Sequence, residues 1–206
     1  MPSSKQMPLV ESLRALESVR TDEVVITVMG TAREWMEMSS HPLDFVLVPS
    51  SMGQGPGLGL GIALARPDRR VVVCNGDGSM LMNLGSLVTL TAQPAENFVL
   101  LIFDNGVYEV TGAQQTPGSA NSGENGSRID FAGIARACGF HSIFEFDDAP
   151  HWRSEVRNVL NARGPTLAVL NVAPVPGAVG PKSPGPAPER AMRFAAALNG
   201  HKQPEE

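Results

Sequence analysis

The chain has 206 residues, 42% of them hydrophobic and 18% charged, which is typical of one soluble globular domain. Its net charge of −5 argues against a nucleic-acid partner, because no basic stripe is present to neutralise phosphates. No apolar run approaches the roughly 20 residues that cross a bilayer, and the first residues lack a secretion signal's apolar core. We therefore expect a cytoplasmic protein without a membrane or nucleic-acid partner.

Helix-like and strand-like segments alternate along the chain. Leu9–Val19 has apolar residues at helical spacing and predicts an amphipathic helix. The strand-like runs are short and apolar, and many contain β-branched residues: Glu23–Met29, Asp44–Val48, Arg70–Cys74, Phe98–Phe103, Ser142–Phe146 and Thr166–Val172. Continuous apolar runs of this kind suit strands that are buried on both faces of a parallel sheet.

The segments between these strands have the character of helices. In chain order they are Thr31–Met38, Gly57–Ala65, Ser79–Ala92, Phe131–Cys138 and Ala149–Ala162. This alternation predicts an α/β fold with a doubly wound, mostly parallel six-stranded sheet and helices on both faces. We assign residues 1–172 to that domain.

Two segments depart from the alternation. Residues 111–128 are rich in Gly, Ser, Asn and Gln, which indicates either disorder or a functional loop. Residues 173–206 begin with a run rich in Pro and Gly and contain a short predicted helix, Glu189–Leu198. We interpret this tail as an extended strap on the surface, and whether it contacts a partner is open.

The most informative residues follow two successive strands. Asn75–Ser79 (NGDGS) leaves one strand, a helix crosses over, and Asn105 leaves the next strand. If the two strands are neighbours, about 4.8 Å apart, the Asp77 carboxylate and the Asn105 amide can share a small cation. Oxygen ligands suit Mg²⁺, while the glycines beside Asp77 and a helix N-terminus suit a diphosphate. The alternative is an ordinary turn that Asp77 caps.

This pattern resembles the signature of thiamine-diphosphate-dependent enzymes. Gly76-Asp77-Gly78 is followed, after 26 further residues, by Asn105. The surrounding segments GTAREW, DFVLVPSSMGQGPGLGLGIAL, VVVCNGDGSMLMNLGSL and FDNGVYEVTGAQQT are similar to one subgroup. That subgroup comprises the C-terminal domains, or separate β subunits, of sulfopyruvate and phosphonopyruvate decarboxylases.

The resemblance implies a set of site residues. Mg²⁺ would be held by the side chains of Asp77 and Asn105 and by the Val107 carbonyl. The cofactor-binding residues would be Gly30, Thr31, Ser50, Met52, Gly76, Asp77, Gly78, Ser79, Asn105, Val107 and Tyr108. Two of them would act closest to catalysis: Met52 would keep the cofactor bent, and the Ser50 carbonyl would accept a hydrogen bond from its aminopyrimidine.

The resemblance also implies a two-component 2-oxo acid decarboxylase. This chain would bind Mg²⁺ and the diphosphate, and an α-type subunit would bind the pyrimidine and contribute a glutamate. The cofactor would act as the electron sink while CO₂ leaves a small 2-oxo acid. A homodimer or hetero-oligomer is expected. The substrate is open, because Gly112–Thr116 reads GAQQT where the relatives show GGQPT.

Other functions remain open at this point. One is a different thiamine-dependent reaction, either acetolactate-synthase-like carboligation or 2-oxo acid oxidation; another is a non-catalytic cofactor-binding module. A dehydrogenase is a third, since Gly53–Gly61 contains GxG patterns, although Pro56 interrupts them. Arg33 and Glu34 fit either a substrate clamp or a local ion pair on a helix.

Overall fold

The computed structural model describes residues 6–49, 52–118 and 129–200. The strands are β1 (Met7–Pro8), β2 (Val24–Val28), β3 (Asp44–Leu47), β4 (Val71–Gly76), β5 (Phe98–Asp104), β6 (Val107–Tyr108), β7 (Gln114–Gln115), β8 (Ser142–Phe146) and β9 (Thr166–Ala173). The helices are α1 (Leu9–Val19), α2 (Met29–Met36), α3 (Gly55–Ala65), α4 (Asp77–Leu81), α5 (Ser86–Ala92), α6 (Phe131–Cys138), α7 (Ala149–Asn161) and α8 (Ala187–Leu198). A 3₁₀ turn, Glu109–Thr111, follows β6.

The main sheet is parallel, and its strand order is β1-β9-β5-β4-β2-β3, with β8 also paired to β9. β8 pairs with Thr166–Leu170, and β1 extends the same edge beside Val172–Ala173. The predicted doubly wound α/β fold is confirmed. The predicted number of six strands is wrong, because this sheet has seven strands among the described residues. The prediction missed β1, a two-residue strand that is too short to show a periodic pattern.

Two hydrophobic cores lie on opposite faces of this sheet. Successive β4 residues alternate between them: Val72 and Cys74 belong to one core, while Val71 and Val73 belong to the other. This two-sided burial explains why the strands are apolar throughout their length. Among the described helices, none is both long and apolar enough to cross a membrane.

The crossover from β4 to β5 contains two helices, whereas the sequence predicted one continuous helix, Ser79–Ala92. The helix breaks after Leu81 and resumes at Ser86. Within the break, Asn83 Nδ2 donates to the Gly53 carbonyl at 3.0 Å, so this residue is tied to the turn before α3. A contact between residues 30 positions apart therefore overrides the local helical pattern. The first of the two helices, α4, begins at Asp77 rather than at Ser79.

The C-terminal tail contains α8, which packs on the edge strand β3. Arg190 donates to the carbonyls of Val46, at 2.6 Å, and Val48. The ring of Phe194 lies 4.9 Å from that of Phe45. These contacts occupy carbonyl groups at an edge that would otherwise be free to pair with another strand.

Two glycines of α3 provide a matched test of core packing. A Cβ on Gly59 would collide with Val73 and lie 2.9 Å from the Phe98 ring, whereas one on Gly61 would meet nothing within 4 Å. We expect Gly59→Ala to lower the free energy of unfolding by about 1–3 kcal/mol, because the core must shift. Gly61→Ala should raise it by about 0.5–1 kcal/mol through helix propensity. Denaturant titrations measure both; equal effects would contradict the packing account.

Candidate functional site

A cavity of about 310 Å³ opens at the carboxyl edge of the sheet, beyond the ends of β2, β4 and β5. It brings together ten of the residues that the resemblance implied. These are Gly30, Thr31, Met52, Gly76, Asp77, Gly78, Ser79, Asn105, Val107 and Tyr108. Ser50, the remaining one, lies outside the described residues. These residues are far apart in the sequence. They share one pocket because the carboxyl ends of parallel strands lie at the same edge of the sheet.

Asp77 and Asn105 meet through the pairing of their strands. β4 and β5 are parallel neighbours, and Gly76 lies opposite Phe103 at the end of the register. Asp77 Oδ2 accepts hydrogen bonds from Gly106 N at 3.2 Å and Thr116 Oγ1 at 3.3 Å. The expectation that these strands are adjacent is confirmed.

Asp77 is only 3% exposed. Burial, with a further contribution from the nearby Asp104 carboxylate, raises the pKa of Asp77 to about 7. A carboxylate in such a place is stabilised by a cation. The oxygens of Asp77, Asn105 and the Val107 carbonyl are the hard donors that Mg²⁺ prefers, so these residues fit that ion.

The donor set leaves room for a ligand's phosphate oxygens. Among the described residues, no group of three or more His, Cys, Asp or Glu side chains could hold a metal ion. Mg²⁺ typically binds one or two carboxylates and completes its octahedron with waters and phosphates. The Asn105 Oδ1 atom accepts from Val107 N at 2.9 Å, which fixes the turn that presents both groups.

Gly78 is required by the packing of the Tyr108 ring. A Cβ on this glycine would lie 2.6 Å from the Cε1 atom of Tyr108, so the ring rests directly on the backbone. Next to it, Ser79 Oγ donates to Asn75 Oδ1 and accepts from Gly53 N, both at 2.8 Å. The Ser79 hydroxyl thus joins the end of β4 to the turn before α3.

The turn from β2 into α2 forms the opposite wall. Thr31 Oγ1 lies 2.8 Å from the Val28 carbonyl oxygen and 2.9 Å from that of Cys74, and it accepts from Val28 N at 3.1 Å. This hydroxyl therefore ties the ends of β2 and β4 together. Met29 adopts a positive φ of 52°, a left-handed conformation that is uncommon for a residue other than glycine.

Several polar residues that line the cavity were not predicted from the sequence. They are Glu109, Thr111 and Gln114, which follow the Asn105–Val107 turn. Glu109 stands directly after Tyr108, so its proximity could have been inferred from the sequence. Its inward direction could not, because it depends on Val175 N, which donates to Glu109 Oε1 at 2.8 Å.

Two glycines in Gly53–Gly61 have packing roles. A Cβ on Gly55 would lie 3.1 Å from the Val28 side chain, and Gly59 packs against Val73. These glycines therefore bring α3 close to the sheet.

The Arg33 and Glu34 side chains form the local ion pair, with Nε and Oε1 2.6 Å apart.

Residues 27–170 match the family described as thiamine pyrophosphate enzyme, C-terminal TPP binding domain. The chain belongs to this family. It is 36% identical to the sulfopyruvate decarboxylase subunit beta of Methanothermobacter thermautotrophicus, and the match covers 80% of this chain and 82% of that protein. It is 37% identical to the phosphonopyruvate decarboxylase of Streptomyces viridochromogenes over 78% of this chain.

The chain spans 38% of the length of that Streptomyces relative, which is a much longer protein. A solved structure described as a thiamin diphosphate-dependent enzyme from Mycobacterium smegmatis shares the fold. Its TM-score is 0.67 at 24% identity, and the match covers 83% of this chain and 32% of that one. Membership in a thiamine pyrophosphate family favours the metal–diphosphate interpretation of Asp77 over the dinucleotide interpretation of the glycines.

Asp77 should make the stability of the metal-free protein depend on pH. Its pKa is 3.8 in the unfolded chain and about 7 in the folded protein, so the folded state retains a proton between these values. Stability should therefore fall as pH rises from 3.8 towards 7, and the full loss should be present above that pH. Asp77→Asn keeps an oxygen acceptor without the charge.

We expect Asp77→Asn to raise the free energy of unfolding at pH 8 by on the order of 2 kcal/mol, with little change near pH 4. Denaturant titrations at several pH values, in the presence of a chelator, measure this difference. The same substitution should abolish any Mg²⁺-dependent gain in stability. Parallel pH profiles for the two proteins would contradict the proposed cost of the buried carboxylate.

Proposed function

We propose that this chain is the Mg²⁺- and diphosphate-binding component of a thiamine-diphosphate-dependent 2-oxo acid decarboxylase that resembles the sulfopyruvate and phosphonopyruvate enzymes. The observation that carries the proposal is the placement of Asp77 beside the Asn105–Val107 turn in one cavity. The names of its relatives support the reaction type and the class of substrate.

The metal would be held by Asp77, Asn105 and the carbonyl of Val107, and it would bind the cofactor's diphosphate in turn. Gly76 and Gly78 leave the backbone beside Asp77 open to a phosphate. When bound, thiamine diphosphate supplies the nucleophilic carbon and the electron sink for loss of CO₂ from a 2-oxo acid.

The remaining walls of the cavity are largely apolar. Val28, Phe103 and Val110 line it together with Met52. Such surroundings exclude water and disfavour a substrate carboxylate relative to neutral CO₂. We propose that Met52 also presses on the cofactor and keeps its two rings in a reactive arrangement, which is a positioning effect. The role of the Ser50 carbonyl stays a prediction.

We further propose that an α-type subunit covers the pyrimidine side of the cofactor. The Methanothermobacter relative, which the match covers over 82% of its length, is named subunit beta. A surface next to the cavity would suit such a partner. It is formed by residues 52–65 and 78–92, which contain no charged side chain, and we call this surface the α3–α5 face. Met82 lines the cavity and is 57% exposed on this face, while Val88 is 58% exposed.

The catalytic proposal is tested by decarboxylation assays with 3-sulfopyruvate, 3-phosphonopyruvate and pyruvate. Each assay contains Mg²⁺ and thiamine diphosphate and is run with the chain alone and with the product of a neighbouring gene that encodes a pyrimidine-binding subunit. We expect rapid CO₂ release from either 3-sulfopyruvate or 3-phosphonopyruvate, and only when both chains are present. The Asp77→Asn chain serves as the inactive control.

Each alternative gives a different result in these assays. Acetolactate formation from pyruvate would favour the carboligase. Cofactor binding without turnover under any condition would favour a non-catalytic module. Efficient turnover by the chain alone would contradict the two-component proposal.

The partner surface is tested by a charge placed on the α3–α5 face. Gly61→Arg should fold normally, because a Cβ there meets nothing within 4 Å. It should weaken the complex by roughly ten-fold or more, since it buries an unpaired charge at the interface. Ser154→Arg on the exposed side of α7 is the matched control. Calorimetry with the partner measures both; equal affinities would rule out this face.

A further inference from the structure

Glu109 connects two walls of the cavity. The strands that lead into these walls are not neighbours in the sheet. One wall is the Gly30 turn after β2, the other is the Asn105–Glu109 segment after β5, and β4 separates the two strands. The Glu109 side chain is 6% exposed. Its Oε2 atom lies 3.1 Å from the position that a Cβ of Gly30 would occupy. The carboxylate therefore rests directly against the opposite wall.

Two groups orient this carboxylate. Val175 N donates to Oε1 at 2.8 Å, and Arg33 Nη2 lies 3.7 Å from Oε2. The second distance is a contact between charges and is too long for a hydrogen bond. Because Arg33 stands three residues after Gly30 in α2, both contacts of Oε2 reach the same helix. Glu109 thus links the segment after β5 to the start of α2.

Stability alone does not explain a carboxylate in this place. The Arg33 guanidinium already has Glu34 as a partner at 2.6 Å. Arg33, Glu34 and Glu109 together carry one excess negative charge, and a buried ion pair is often no more stable than apolar packing. Arg33 Nη2 is also buried without a hydrogen-bond partner among the described residues. The excess charge likewise disfavours a direct role in binding an anion.

We propose that Glu109 is a positioning residue for the cofactor seat, where it sets the spacing between the Gly30 turn and the Asn105–Val107 turn. This inference rests on the proposed function, because the seat that it positions is that of thiamine diphosphate. The C-terminal tail hydrogen-bonds to both Glu109 and Arg33. Val175 N donates to Glu109, and the Val179 carbonyl accepts from Arg33 Nη1 at 3.1 Å. Residues 175–179 therefore contact both members of the Arg33–Glu109 pair.

The principal test compares Glu109→Gln with Glu34→Gln. The first keeps the size of the side chain and an acceptor for Val175 N, but it removes the charge contact with Arg33. The second removes the other carboxylate partner of Arg33, and Glu34 does not line the cavity. Calorimetric titration with thiamine diphosphate in saturating Mg²⁺, with and without the partner subunit, gives the dissociation constants.

We expect Glu109→Gln to raise the dissociation constant for thiamine diphosphate by roughly ten-fold, and Glu34→Gln by no more than about two-fold. The melting temperature of the cofactor-free protein should change little in either variant, which distinguishes positioning from general destabilisation. Arg33→Ala should weaken binding in the same direction. The double variant Arg33→Ala/Glu109→Gln should bind about as well as the weaker single variant, because the two residues act as one unit.

A second variant covers the case in which Glu109→Gln fails to fold. Val175→Pro removes the N–H that orients Glu109 without replacing a residue that lines the cavity. We expect it to weaken cofactor binding as well. Unchanged affinity in the folded variants, an equal loss in Glu34→Gln, or fully additive effects in the double variant would each overturn the positioning role. Absence of Mg²⁺-dependent binding by the unsubstituted protein would instead overturn the proposed function.

Discussion

The site depends on the parallel pairing of β4 with β5. Their register runs without interruption from Val71 opposite Phe98 to Gly76 opposite Phe103. Because the strands are parallel and end at the same level, the residues that leave them emerge side by side. Asp77 and the Asn105–Val107 turn therefore meet although a crossover of two helices separates them in the sequence.

This arrangement buries the Asp77 carboxylate. Without a bound metal ion, the charged carboxylate lowers the stability of the folded protein. Asp77 is buried near a second carboxylate, Asp104, and its pKa rises accordingly. The two hydrophobic cores supply the stability that makes such a position tolerable. Destabilisation of this kind is expected where a site is built for a cation, since the bound ion removes it.

The cavity also connects to parts of the chain that lie outside the sheet edge. The tail reaches it through Val175, which binds Glu109, while Arg190 and Phe194 attach α8 to β3. On another side, Met82 belongs to both the cavity and the uncharged α3–α5 face. The cavity is thus bordered by the tail and by the α3–α5 face, and we propose that cofactor binding depends on both.

The sequence by itself determined six strands of the main sheet, the alternation that specifies a doubly wound fold, and the GDG–Asn105 spacing, because periodicity and motif spacing are local properties of a chain. Only the tertiary structure decided the break at Asn83, the added strand β1 and the inward direction of Glu109. Each of these depends on a partner far away in the sequence: Gly53, β9 and Val175 respectively. Local patterns carry no information about such contacts, because they form only when the sheet brings its carboxyl ends together.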